Sequence, residues 1–168
     1  MARTCIMSSE KVRHTLARLA SEVVERNRGT EGLRILGIET RGAVLAQRLA
    51  REISAIGGRE IEVSGLDVQA FRDDLENGGE SMHRTDDLTD LNVLLVDDVL
   101  QTGRTARAAL DAIVQLGRPR SIQFLTLIDR GHREYPIQPD YVGRLLQTKH
   151  RERVEVAVDA DFEIWIED

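Results

Sequence analysis

The stretch that most restricts this chain is Val93-Leu94-Leu95-Val96-Asp97-Asp98-Val99-Leu100-Gln101-Thr102-Gly103-Arg104-Thr105. An apolar strand from Asn92 to Val96 ends at two adjacent carboxylates. A short loop with Gly103 follows, and a helix is expected from Thr105 to Leu116. In open α/β sheets, ligands sit outside the C-terminal ends of the strands. The N–H groups at a helix N-terminus accept phosphate, and glycine permits the tight turn. The hydroxyls of Thr102 and Thr105 add hydrogen bonds. Asp97 and Asp98 can accept from ribose 2′- and 3′-hydroxyls, or help to organise a Mg²⁺-bound substrate. A plain strand–turn–helix junction has each of these features singly and rarely has them together. The acidic pocket of a phospho-accepting receiver domain also uses adjacent acids at strand ends. It leaves Thr102-Gly103-Arg104-Thr105 without a role.

The rest of the chain repeats the alternation of strand and helix. Residues 9–28 carry Val12, Leu16, Leu19, Val23 and Val24 at helical spacing, with Gly29 as the stop. Leu33–Ile38 reads as a strand. Val44, Leu45, Leu49 and Ile53 support a helix closed by Gly57-Gly58, and a strand follows near 61–68. Residues 72–90 are polar, and a loop that long inside a compact domain is usually functional or disordered. Residues 121–128 form an apolar strand, and Arg153–Ile166 alternates well enough for one or two more. This order implies an α/β fold with a mainly parallel central sheet flanked by helices. With 168 residues and no repeat or low-complexity tract, residues 1–168 are expected to form one domain.

Composition narrows the class of function. Aromatic residues make up 4 %, which argues against a base-stacking platform for single strands. The net charge of −6 disfavours nonspecific nucleic-acid binding. The single cysteine, Cys5, excludes an internal disulfide and a cysteine-cluster metal site. No apolar run approaches membrane-spanning length and no signal-peptide core is seen, so a cytoplasmic protein is expected.

The segment from Asp97 to Thr105 resembles the phosphoribosyl-pyrophosphate (PRPP) motif of type I phosphoribosyltransferases. Further stretches narrow the likeness. Gly37-Ile38-Glu39-Thr40-Arg41-Gly42, Phe71-Arg72-Asp73-Asp74, Gly117-Arg118-Pro119 and Asp129-Arg130-Gly131-His132-Arg133-Glu134 are similar to the PyrR family. These are pyrimidine-operon regulators with uracil phosphoribosyltransferase activity. The resemblance runs from about residue 9 to 167. It implies a type I phosphoribosyltransferase fold with a small base-binding hood, and a homo-oligomer. PRPP, uracil and UMP would be the ligands, with Mg²⁺ as cofactor.

The resemblance also implies roles for residues. Thr40-Arg41-Gly42 would form the pyrophosphate loop, and Asp97, Asp98, Val99, Leu100, Gln101, Thr102, Gly103, Arg104 and Thr105 would bind PRPP or UMP. Arg41, Arg72, Asp97 and Asp98 would serve catalysis. Mg²⁺ would be held mainly through PRPP, with Asp97 and Asp98 as further ligands. Residues 72–90 would close over the reaction. Asp129, Arg130 and His132 lie where related enzymes build the base pocket; His132 reads equally well as a surface histidine with its bonds met. Arg18, Arg26, His132, Arg133 and Arg144 match positions linked to an RNA-binding face for pyrimidine-leader mRNA. On that face His14, Ala17, Ser21 and Gln138 replace the Arg, Thr, His and Arg of RNA-binding members; elsewhere, Phe71 replaces the Tyr usual before Arg72-Asp73-Asp74. Lost phosphate contacts weaken binding, so this chain is expected to bind leader RNA weakly or not at all.

Overall fold

The structure is a computed structural model that describes residues 2–71 and 87–168. A five-stranded parallel sheet is built from β2 (Leu33–Ile38), β3 (Val63–Leu66), β4 (Asn92–Leu100), β5 (Ser121–Asp129) and β6 (Tyr141–Leu145). The strands lie in the order β3-β2-β4-β5-β6. Helices α1 (Ser9–Asn27), α2 (Arg41–Gly57) and α3 (Arg104–Val114) cover it.

Strand β4 shows how the sequence builds the layers. Successive side chains of a strand point to opposite faces. Leu94 and Val96 join a core with Leu16, Leu19, Leu45 and Leu49 of α1 and α2. Val93 and Leu95 join a second core with Ala108, Ala109, Ala112 and Ile113 of α3. A parallel sheet covered on both faces needs apolar residues on both, and Leu33–Ile38 is buried along its whole length. Ser8 caps α1 by accepting a hydrogen bond from the Lys11 N–H. Gly58 ends α2 in the left-handed region at φ 70°.

A second, antiparallel sheet stands apart from the first. It contains β1 (Arg3–Met7), β7 (Arg153–Ala157) and β8 (Glu163–Glu167), in the order β1-β8-β7. This is the small hood expected beside the main sheet. The tail, expected to hold one or two strands, holds β7 and β8.

Three expectations need correction or limits. The strand expected to stop at Val96 runs on to Leu100, because Asp97, Val99 and Leu100 stay in register with Thr126, Ile128 and Asp129 of β5. Strands β1 and β6 were not expected. The loop expected over 72–90 falls largely on residues 72–86, outside the described residues. Within its described end, Leu88 is fully buried and its N–H donates to the Leu116 carbonyl.

Candidate functional site

The sheet order fixes where the site forms. Chain leaving β2 passes through α2 to β3 on one side, whereas chain leaving β4 passes through α3 to β5 on the other. The crevice between these two departures is where open α/β sheets bind ligands. It holds Thr40, Arg41 and Gly42 at the end of β2, and Asp97 to Thr105 at the end of β4. Two adjoining cavities, of about 460 and 430 Å³, share Arg41, Asp97, Asp98, Val99 and Thr105.

The turn between β4 and α3 has the local geometry that its residues dictate. Gly103 is the N-cap of α3, with φ 89°, a region L side chains rarely adopt. The Thr102 hydroxyl accepts from the Arg104 N–H at 3.2 Å, and Arg107 N–H starts the helix on the Gly103 carbonyl. Gln101 to Ala106 line the larger cavity, so the N-terminus of α3 opens on it.

The two acids differ. Asp97 is 8 % exposed, while Asp98 is half-buried. Asp97 Oδ1 accepts from the Asp98 N–H at 2.9 Å, and Asp98 Oδ1 from the Val99 N–H at 2.8 Å. Burial, reinforced by the charge of Asp98, pushes the Asp97 carboxyl well above the usual carboxylate range.

On the β2 side, the peptide between Glu39 and Thr40 is cis. Gly37 packs directly against the Gly42 carbonyl and Ala43, which brings α2 hard against the sheet. Thr40 and Arg41 are exposed at the mouth, and Gly42 is buried.

The residues expected at the base follow the end of β5. Asp129 is 5 % exposed and is gripped by both terminal nitrogens of Arg133, at 2.8 and 2.6 Å. Burial pushes its carboxyl up, but hydrogen bonds from Arg133 and Gly131 and the Arg133 charge outweigh it and hold the group low. Arg130 is also buried and lines the larger cavity. Its Nε donates to the Thr148 hydroxyl and its Nη2 to the Lys149 carbonyl. His132 has φ 66°, its ring lies tilted at 48° to that of His150 with centroids 4.0 Å apart, and it bonds Thr148 through Nε2.

Among the residues expected at an RNA face, the guanidinium groups have partners within the protein. Arg18 pairs with Glu22 and donates to the Val142 and Gly143 carbonyls. Arg26 pairs with Asp140 at 3.2 Å and lies over the Tyr141 ring. Arg144 donates to the Ile6 carbonyl. Arg133 and His132 lie in the turn after β5, whose last residues pair with the Arg144 end of β6. Arg72 lies outside the described residues.

Sequence reasoning missed Arg153 and Val154 of β7, which bring the hood into the wall of the larger cavity. Their alternating stretch marks a strand, but nothing local to it says which wall that strand builds.

A family model described as phosphoribosyl transferase domain matches residues 6–161. The chain therefore belongs to the phosphoribosyl transferase family. A relative from Deinococcus radiodurans, named Bifunctional protein PyrR, is 49 % identical over 159 residues, covering 92 % of this chain and 87 % of the relative. A Bifunctional protein PyrR from Bacillus cereus is 47 % identical over 161 residues, covering 92 % and 89 %. Within the phosphoribosyl transferases, then, the chain is a member of the PyrR family. Solved structures share its fold. A hypoxanthine phosphoribosyltransferase from Staphylococcus aureus has a TM-score of 0.70 at 18 % identity, covering 87 % of this chain and 79 % of that one. A phosphoribosyltransferase from Leishmania tarentolae, titled HGPRT-ase in complex with GMP, has a TM-score of 0.69 at 18 % identity, covering 92 % and 86 %.

Proposed function

We propose that this protein transfers ribose 5-phosphate from PRPP to uracil, giving UMP and pyrophosphate. The observation that carries this reading is one crevice lined by the Asp97–Asp98 pair, the Gly103 turn at the start of α3, and Arg41. Each part matches one piece of the substrate. The helix start takes the 5-phosphate. The acids take the ribose hydroxyls, and Arg41 takes anionic oxygen of the pyrophosphate.

In the reaction the N1 atom of uracil bonds to C1′ as the C1′–O bond to pyrophosphate breaks, and the N1 proton is lost. The transition state resembles an oxocarbenium ion. The protein's contribution is to hold the reactants in line and to stabilise the departing charge. Of the three residues expected at the base, Arg130 lines the larger cavity with Arg153 and Val154 of the hood and would be the one to meet the base.

The donor set fits Mg²⁺ carried on the substrate. Each carboxylate of the pair commits one oxygen to a backbone N–H and has a second for a hard cation. Among the described residues, no group of three or more His, Cys, Asp or Glu could hold a metal ion alone. Asp97 and Asp98 would hold it together with PRPP oxygens. When bound, Mg²⁺ neutralises pyrophosphate charge.

The relatives' name, bifunctional, supports a second role, as a UMP-responsive regulator of pyrimidine genes through leader RNA. The Arg18–Arg26 face offers that RNA few guanidinium groups not already bonded within the protein.

The test is incubation with PRPP, Mg²⁺ and each nucleobase in turn. UMP is the product expected. Turnover of hypoxanthine instead would overturn the choice of base, and failure with every base would overturn the enzyme reading.

A further inference from the structure

The turn after β5 grips the phosphate loop by its carbonyl oxygens. Arg130 N–H donates to the Leu100 oxygen at 3.0 Å, and the N–H groups of Glu134 and Tyr135 both donate to the Thr102 oxygen at 2.9 Å. Between them, Arg133 Nη1 donates to the Gln101 oxygen at 3.1 Å. Three consecutive peptide oxygens are held on one side of the loop. A trans peptide unit is planar, with its C=O and the following N–H pointing opposite ways. Holding those oxygens towards the turn directs the N–H groups of Gln101, Thr102 and Gly103 to the opposite side of the loop.

Two of these three grips are backbone to backbone. The third depends on one side chain. Arg133 also donates through Nε to the Ile137 oxygen at 2.8 Å, and its fork holds both oxygens of Asp129. A guanidinium has five N–H donors, and the Arg133 group makes four hydrogen bonds to three separate pieces of chain. Asp129 anchors it to the end of β5, Ile137 to the far side of the turn, and Gln101 to the phosphate loop. The planar fork suits this geometry, and the compact ammonium of lysine does not reproduce it.

We infer that Arg133 is a positioning residue for phosphate binding. It orients the peptide between Gln101 and Thr102 through its carbonyl, without touching substrate. The inference rests on the reading of Gln101–Thr105 as the loop for the 5-phosphate. It turns Arg133 inward, whereas the family resemblance places it on an RNA face.

Arg133→Met and Arg133→Lys, with ribose 5-phosphate as the probe in calorimetry and PRPP and uracil in steady-state kinetics, test it. In the Met variant the Kd for ribose 5-phosphate and the KM for PRPP should each rise about tenfold, the size of a lost charge-assisted bond. The KM for uracil should stay within about twofold, a difference too small to register a lost hydrogen bond. Should the Met variant fail to fold, the Lys variant, which keeps a charge beside Asp129, should show the same split. An Arg133→Ala variant should regain ribose 5-phosphate affinity when guanidinium ion is added. Wild-type affinity in a folded variant would overturn the inference. An equal rise in both KM values with a lower melting temperature would also overturn it, marking a purely structural ion pair. If the unaltered protein binds no ribose 5-phosphate, the reading of the loop itself falls, and the inference with it.

Discussion

Gly42 lies flat against Asp97. A methyl group on its Cα would stand 2.8 Å from the Val96 carbonyl oxygen, 3.3 Å from Asp97 Cα and 3.4 Å from Asp97 Oδ1. The first of these is backbone and cannot swing aside, so the start of α2 and the end of β4 can approach this closely only with glycine at position 42. Gly42→Ala should push the Arg41 loop away from the acid pair. Overpacking of this kind costs about 1–3 kcal/mol. The expected result is a folded protein, by circular dichroism, whose kcat/KM for PRPP is at least about tenfold lower.

Asp97 sets function against stability. Its folded value is raised by burial and by the charge of Asp98. An acid whose folded value lies above its unfolded value costs stability when it is ionised, and the cost is relieved as pH falls through the raised value. Asp97→Asn removes that cost while keeping an oxygen for the Asp98 N–H. At pH 8 the variant should melt about 3 °C higher, the shift that roughly 1 kcal/mol gives a chain of this size. The gain should shrink as pH falls. Transfer should drop at least about a hundredfold through the lost charged acceptor. A variant that melts lower at pH 8 would contradict this account.

Asp129 has the opposite sign. Its folded value lies below the ordinary 3.8, so its stabilisation is present above the unfolded value and is lost as pH falls through the folded one. Asp129→Asn leaves the Arg133 guanidinium without its carboxylate, which for a buried pair costs about 3 kcal/mol. Urea unfolding at pH 7 should show that deficit. As pH falls through the lowered folded value the two proteins should converge, because the native carboxyl is then protonated too.

Gly103 is confined from two sides. Its φ is 89°, and an added Cβ would lie 3.1 Å from Ile137 Cγ1 and 3.3 Å from the Tyr135 carbonyl oxygen. Gly103→Val should abolish calorimetric binding of UMP and PRPP with the fold kept. Wild-type UMP affinity would remove the turn from the phosphate site.

The helix α1 face should bind RNA poorly. An RNA phosphate would have to displace Glu22 from Arg18 and Asp140 from Arg26. Exposed His14, Ala17 and Ser21 add no fixed charge beside them. If about three phosphate contacts are missing, the salt slope of binding drops by nearly that number. Gel shifts with a pyrimidine-leader hairpin at two salt concentrations, with and without UMP, measure it. Weak binding with a shallow slope is expected. Nanomolar, UMP-enhanced, sequence-selective binding would show that the remaining arginines suffice.

The parts legible in the sequence were those governed by local rules. Leu33–Ile38 is a strand at its expected bounds because it is apolar on both faces. The ends of α1 and α2 were marked by Gly29 and by Gly57-Gly58; the left-handed caps there are Arg28 and Gly58. The acid pair and Gly103 were read as one ligand-binding unit, and they do line one crevice. The missed elements depend on distant partners. Arg3–Met7 is strand only because it pairs with Glu163–Glu167. Tyr141–Leu145 is an edge strand whose buried anchor, Tyr141, takes its partners from Gln123 and Asn27. Nor does any local pattern show that Arg133 turns inward; only the placement of Asp129 and Gln101 decides it.

The pairing of β1 with β8 has a consequence for the order in which this molecule can be completed. Arg3 lies opposite Glu167, and β8 is the only strand of its sheet that β1 meets. During synthesis the five-stranded sheet has all its residues once Leu145 is made, with the acid pair and the Gly103 turn already in it. Strand β7, which carries Arg153 and Val154, has no strand to pair with until residues 163–167 follow. A nascent chain stalled before them would hold a phosphate cradle open on its hood side, its first strand waiting at the ribosome for a partner not yet translated.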